Sequence, residues 1–528
     1  MKMNIFSGVG YQNSQEKDSD AKEKARRMEN HTVELREKKR LDILRKNRNI
    51  DKPGSGTEQS QQERGGVTHQ YQALMSLEPE FRAKIEQIYK ITFKFEQIGE
   101  LVIALNSQDV LFQHHGCIGL RKLLSIEDSP PIQIAIDSNC VPRFIEFIKQ
   151  NTYPVLQLEA SWCLTNIASG TTHQTQSIID KGAIPLFCKL LLSPYQDIAE
   201  QAIWAIGNIS GDCSVYRDMI LKCDGLKPLV NILLNTNDRK TIKHGSWALS
   251  NLCRGRPLPD YQLVQDAVKP LCKVLMQETD SEVLTDSSWA ISYLSDGDED
   301  RIQRIIETGV IPTLIRLINH QYLSVLIPCL RTLGNICTGT DEQTEEVLKY
   351  NALPEIFKLV KHQKKAVRRE ACWVLSNIAA GNERQISQIV NQPQYVQWLF
   401  ECMIQDSDEI AREATWVISN CTSQANPQDI RKLVEMNVLK IYTDILRATK
   451  DVKTIAVILE SLKHILECGK NHFMQGKDNP FCIQLEQFGA LDFIEDLQRH
   501  PDDDVYKRSL AILENYFDLE DEQIIRPE

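Results

Sequence analysis

The chain has 528 residues, of which 42% are hydrophobic, 25% charged and 7% aromatic, and it carries a formal net charge of −11. That apolar content is sufficient for a packed core and excludes wholesale disorder. No stretch approaches the ~18 consecutive apolar residues of a membrane helix, and the polar residues 1–20 lack the apolar centre of a signal peptide. The expectation is a soluble intracellular protein with no membrane insertion.

Taken in chain order, residues 1–20 read as disordered and residues 21–50 as a basic arm. The arm holds eleven basic and five acidic residues, a net of +6, which leaves −17 on the rest of the chain. Such an arm suits nucleic acid or an acidic protein surface, including that of its own body. An acidic body is a poor partner for nucleic-acid phosphates and a good one for basic peptides. Residues 51–70, with the run DKPGSGTEQSQQERGG, read as a flexible linker. Apolar periodicity then begins at Leu74, Leu77, Phe81, Ile85 and Ile88. The ordered body is expected over 71–516, followed by an acidic tail at 517–528.

Within the body, Trp162, Trp204, Trp247, Trp289, Arg331, Trp373 and Trp416 succeed one another at steps of 42 or 43 residues. Only Trp398, of the seven tryptophans, falls outside this register. Each unit starts with a short turn (GAIP at Gly182, GLKP at Gly225, GVIP at Gly309, NALP at Asn351), continues into an apolar helix, and ends in the Trp-bearing helix. Glycines after that helix, at Gly170, Gly339 and Gly381, suit a left-handed stop. A unit just over 40 residues long with two or three helices fits an armadillo or HEAT array, so the expected fold is an all-α solenoid of about ten repeats.

The fifteen cysteines are odd in number, and the closest pair, Cys329 and Cys337, lies eight residues apart. No CxxC spacing occurs, which argues for core thiols rather than disulfides or a metal site. No GxxxxGK[ST], GxSxG or HExxH motif is present either, so no enzyme, cofactor or metal is expected.

Asn follows Trp by four residues in Trp162/Asn166, Trp204/Asn208, Trp247/Asn251, Trp373/Asn377 and Trp416/Asn420, which puts indole and carboxamide on one helix face. Apolar neighbours already supply the core face, so the Asn residues are expected as an exposed ladder for the backbone of an extended peptide. Indole faces suit the stems and charges of Lys and Arg. Three residues before each Trp stand Glu159, Gln201, His244, Asp286, Glu370 and Glu413, and Asp212, Asp296 and Asp341 follow the ladder helices, so acids are expected to meet those charges. The ladder is broken where Tyr293 replaces Asn and Arg331 replaces Trp, although Asn335 remains. A fixed cation there divides the groove into a larger and a smaller site. At roughly 9 Å per repeat their centres would lie on the order of 40 Å apart, a span of about twelve extended residues. A junction or signalling scaffold would explain the solenoid but not the Trp–Asn register or the arm, and the −17 body argues against a nucleic-acid-binding repeat protein.

From Arg26 to about Phe517 the sequence resembles the importin-alpha (karyopherin-alpha) family of nuclear-import adaptors. The most specific carriers are WCLTNIASGTTHQT (162–175), WAIGNISGD (204–212), WAISYLSDG (289–297) and GNICTGTDEQT (334–344). The resemblance implies a right-handed superhelical armadillo solenoid. It implies a larger site for nuclear localisation signals on the first three Trp/Asn pairs with Gly170, Thr175 and Asp212. It implies a smaller site on Trp373, Asn377, Trp416, Asn420, Asn335 and Thr344, with Glu370 and Glu413 as acids; Tyr293 and Arg331 also match the family. The arm RRMENHTVELREKKRLDILRKNRNI (26–50) resembles the importin-beta-binding segment, carried by Arg26, Arg27, Arg36, Lys38, Lys39, Arg40, Arg45, Lys46 and Arg48, which in the family also folds back onto the larger site. Lys46-Asn47-Arg48 lacks the central charge of the usual basic trio, so either self-occupancy is weaker or Arg45 substitutes by a shift of register. Residues 493–517 resemble the terminal repeat that binds a recycling exportin. Shuttling between cytoplasm and nucleus is implied, with cargo proteins and importin-beta as partners and no direct nucleic acid.

Overall fold

The computed structural model describes residues 71–517. The basic arm, with Arg26 to Arg48 and Asn47, the linker and the acidic tail from Asp518 lie outside the described residues. Within them every regular element is a helix, and only an isolated bridge between Gln475 and Asp478 departs from this. No described helix is long and apolar enough to cross a membrane.

The described residues divide into two compact units, the first ending at Ala267 and the second beginning at Val268. In the first, four long helices recur: α1 (Val110–Leu124), α2 (Pro154–Ile167), α3 (Gln196–Asp212) and α4 (Arg239–Cys253). In the second come α5 (Ser281–Leu294), α6 (Leu323–Ile336), α7 (Lys365–Ala379), α8 (Asp408–Gln424), α9 (Val452–His472) and α10 (Asp503–Tyr516). Within each unit every long helix packs on the next, with shorter helices behind. Helix starts are written locally. Asp109, Asp238, Asp280, Asp451 and Asp502 each accept backbone N–H groups of the following turn, a cap worth about 1 kcal/mol. Pro154 opens α2, where its missing N–H costs nothing.

The periodicity that reveals the repeat also builds the core. Two residues beyond each ladder position, about 200° around the helix, stand Leu164, Ile206, Leu249, Ile291, Leu333, Leu375 and Ile418, all fully buried. Each such side chain contributes about 1.5–3 kcal/mol by leaving water. Thirteen of the fifteen cysteines are buried and all are free thiols. Burial pushes several, among them Cys253 and Cys337, up to about 12, which leaves them unreactive.

One local expectation needs correction. Gly170, Gly339 and Gly381 do not adopt left-handed backbone. They lie beneath the glutamine of a capping box, and a Cβ at each would overlap Gln174 Oε1, Gln343 Oε1 or Gln385 Oε1. That glutamine reaches back to the N–H of Thr171, Thr340 or Asn382, which in turn caps the short helix. In the GLKP turn the left-handed residue is Asp224 (φ 57), not Gly225. The equivalent joint is Asn139, Gly182, Gly309, Asn351 or Asn437 in other repeats, and Asn and Asp tolerate that region better than other side-chain-bearing residues.

Candidate functional site

In the first unit, α2, α3 and α4 carry Trp162, Trp204 and Trp247, each with its Asn one turn later. Trp162 and Trp247 are half-buried, whereas Trp204 is set deeper, 7% exposed, with the His244 ring against it edge-on at 4.7 Å. Trp204 Nε1 and the neighbouring Gln201 Oε1 are buried and make no hydrogen bond among the described residues. In the second unit Trp289, Trp373 and Trp416 are half-buried, and Tyr293 stacks on Trp289 at 5.9 Å.

The asparagines are not the exposed ladder expected from the sequence. Asn166, Asn208, Asn251, Asn335 and Asn377 are buried, and Asn420 is half-buried. Their donors are committed to the preceding repeat. Asn208 Nδ2 donates to the Thr165 carbonyl (3.1 Å), Asn251 to Gly207 (2.9 Å), Asn335 to Ser292 (3.0 Å), Asn377 to Gly334 (3.1 Å) and Asn420 to Ser376 (2.8 Å). Every acceptor lies three residues beyond a ladder position. At the ladder's start Asn166 donates instead to Ser125 Oγ (3.0 Å). A packed core does offer these amides a partner, because adjacent ladder helices run close enough to share a carbonyl. The carboxamide is thus a staple between repeats, and at Asn335 the amide makes a second internal bond, to Ser295 Oγ at 2.8 Å.

Two glycines that sequence reasoning passed over hold the rings in place. A Cβ at Gly207 would overlap the six-membered ring of Trp247, and one at Gly334 that of Trp373. The indole of one repeat therefore lies on bare backbone of the repeat before it. The signal was available in sequence, since each glycine follows a ladder position by three.

The expected acids behave differently from one another. Glu159 is fully buried and already paired: Arg121 Nε donates to it at 2.8 Å, and so does the Tyr89 hydroxyl at 2.8 Å. Glu370 is likewise buried and takes a two-pronged pair from Arg331, at 2.6 and 2.7 Å. The expectation that these two carboxylates wait for peptide cations is therefore corrected. Burial works against the Arg331 charge, but Glu370 outweighs it and raises its pKa. The same guanidinium lies 5.8 Å from the Trp373 ring centre. Asp286 and Glu413 are buried. Asp212 ends α3 and accepts from Thr172 Oγ1 at 3.3 Å. Thr175, on the same face of its short helix, is buried with its hydroxyl toward the Ala168 (3.4 Å) and Thr171 (3.3 Å) carbonyls. Gly170 precedes that helix and Thr344 is buried in its second-unit counterpart, Asp341–Leu348. No group of three or more His, Cys, Asp or Glu that could hold a metal lies among the described residues.

The armadillo/beta-catenin-like repeat model matches residues 128–169, 171–211, 257–296, 298–338 and 340–380, and an atypical armadillo repeat matches 479–528. The intervening stretches carry Trp247/Asn251 and Trp416/Asn420 with the same staple. Importin subunit alpha-1b of Oryza sativa subsp. japonica is 45% identical over 172 residues, 33% of this chain and 32% of the relative. Importin subunit alpha-2 of Arabidopsis thaliana is 40% identical over 246 residues, 47% of this chain and 42% of the relative. The chain thus matches less than half the length of either. A crystal structure of an engineered protein superimposes with a TM-score of 0.69 at 25% identity, covering 79% of this chain and 98% of that one. Repeat model and fold agree on an armadillo-repeat solenoid, and over the matched stretches the chain is similar to importin subunits alpha.

Proposed function

We propose that this chain is a nuclear-import adaptor whose two ladders bind extended lysine- and arginine-rich segments, the nuclear localisation signals of cargo proteins. The observation that carries the reading is the recurrence of one arrangement, an indole seated beside a stapled carboxamide on successive repeats. Indole faces attract cationic side chains by about 0.5–1 kcal/mol at exposed sites. Except at Asn335, whose amide also donates to Ser295 Oγ at 2.8 Å, the staple uses one N–H and leaves the other and the oxygen for a peptide backbone. Relatives bearing the name importin subunit alpha support the same role.

On this reading Trp162, Trp204 and Trp247 with their Asn partners, Gly170, Thr175 and Asp212 form the larger site. Trp373, Trp416, Asn335, Asn377, Asn420, Thr344 and Glu413 form the smaller one, bounded by Tyr293 and Arg331. The basic arm from Arg26 to Arg48 links cargo to importin-beta and folds back over the larger site, the C-terminal repeats take a recycling exportin, and the protein shuttles between cytoplasm and nucleus. Fluorescence anisotropy of a labelled lysine-rich import peptide, against the full chain and residues 71–528, tests it. Binding to the shorter form, weakened in the full chain, is expected. No binding to either would overturn the adaptor reading, and equal binding would remove the folding-back of the arm.

A further inference from the structure

Arg121 stands 41 residues before Trp162, in the ladder position of the repeat before it, and Ser125 stands where that repeat would carry Asn. Its guanidinium lies 4.6 Å from the centre of the Trp162 ring. It is 5% exposed and pairs with the fully buried Glu159, whose other oxygen is held by Tyr89. Arg331, Glu370 and Trp373 repeat this arrangement in the second unit. In both, an arginine at the ladder position binds the carboxylate three residues before the next Trp and lies over that Trp. Each ladder therefore opens with a cation supplied by the chain itself.

We propose that Arg121 is a built-in occupant of the first indole of the larger ladder, a register-setting residue that closes that end to cationic peptide side chains and favours a carboxylate there. The inference rests on the peptide-binding reading above. A guanidinium 4.6 Å from the Trp162 ring centre already takes up one cation position on that indole, and its partner Glu159 is buried out of reach. A second cation brought against it meets like charge, and Glu159 already accepts from Arg121 and Tyr89. A Glu or Asp beyond the basic run meets the edge of a positively charged group instead. The open positions for peptide cations in the first unit then begin between Trp162 and Trp204.

The test is a peptide series on the full chain: a five-residue lysine/arginine core flanked at one end or the other by two Ala, two Lys or two Glu. At one end only, Lys is expected to weaken binding relative to Ala and Glu to strengthen it, with Glu and Lys differing by about tenfold, a factor within the range of one cation–indole contact. In Arg121→Gln that preference should disappear or reverse, while preferences arising at other positions stay. Loss of fold in that variant would show in its circular dichroism, and Arg121→Lys then serves, with the preference reduced because the Nε contact with Glu159 is lost. Equal binding of all flanks, or an end preference untouched by either variant, overturns the inference while leaving peptide binding intact. Failure of every peptide to bind the unmodified chain would instead overturn the reading on which it rests.

Discussion

Asn251 and Gly207 are joined twice: the Asn251 amide donates to the Gly207 carbonyl at 2.9 Å, and Trp247, one turn before Asn251, lies where a Gly207 side chain would stand. The backbone of one repeat is thus both floor and acceptor for the ladder of the next. Gly334 serves Trp373 and Asn377 in the same way. An array built like this keeps its indoles at a fixed separation without any contact between the rings themselves.

Gly207→Ala is expected to expel the Trp247 ring from its seat. Ala improves helix propensity by about 1 kcal/mol over Gly, so the loss in stability should be small or absent. The cost falls on the ladder, with about tenfold weaker peptide binding at the first unit and a red-shifted tryptophan emission. Emission and affinity both unchanged would show that the ring does not depend on the bare backbone.

Asn208→Ala separates a stapling role from a purely ligand-contacting one. The substitution leaves the Thr165 carbonyl without its donor at 3.1 Å, and an orphaned buried acceptor costs about 1–3 kcal/mol. Urea unfolding should therefore show a loss of that order in the absence of any peptide. An Asn that only contacts peptide would leave the unliganded chain as stable as before.

How much of this was readable beforehand follows from the range of each interaction. The 42-residue register, the helices and the buried Leu164/Ile206/Leu249 series depend on local pattern, and the sequence carries them openly. The Trp–Asn pairing was readable, but its internal bond was not, because Thr165 O to Asn208 Nδ2 spans 43 residues and uses backbone that carries no sequence label. Counting acids gave the wrong inventory for the same reason. Glu159 and Glu370 look alike with Glu413 in sequence, and only packing shows that Arg121 and Arg331 have taken the first two.

Arg331 and Glu370 should be costly to separate and cheap to remove together. Glu370→Ala removes the carboxylate that offsets the burial of the Arg331 guanidinium, and breaking a buried pair costs roughly 3–5 kcal/mol. Replacing both with Met keeps volume and removes both charges, so the double variant should recover most of that loss. Chemical denaturation of the three proteins checks this. A double variant as unstable as Glu370→Ala would mean that the pair's geometry, rather than an uncompensated charge, sets the cost.

His244 gives the first unit an acid limit. Burial holds its pKa down to about 4, assisted by Lys243 and Lys240 and opposed by Asp238. The imidazole, edge-on to Trp204, is therefore neutral in the folded chain at ordinary pH, while in the unfolded chain it titrates near 6.5. Below that value the unfolded state binds a proton that the folded state refuses, so stability falls as pH drops from about 6.5 toward 4 and this contribution levels off below it. His244→Asn, which has no such proton to take up, should flatten that part of the stability–pH curve and leave the region above pH 7 unchanged. Melting temperatures measured between pH 4 and 8 for the two proteins decide it. Parallel curves would mean that the ring charges in the folded state without penalty and that its contact with Trp204 does not enforce neutrality.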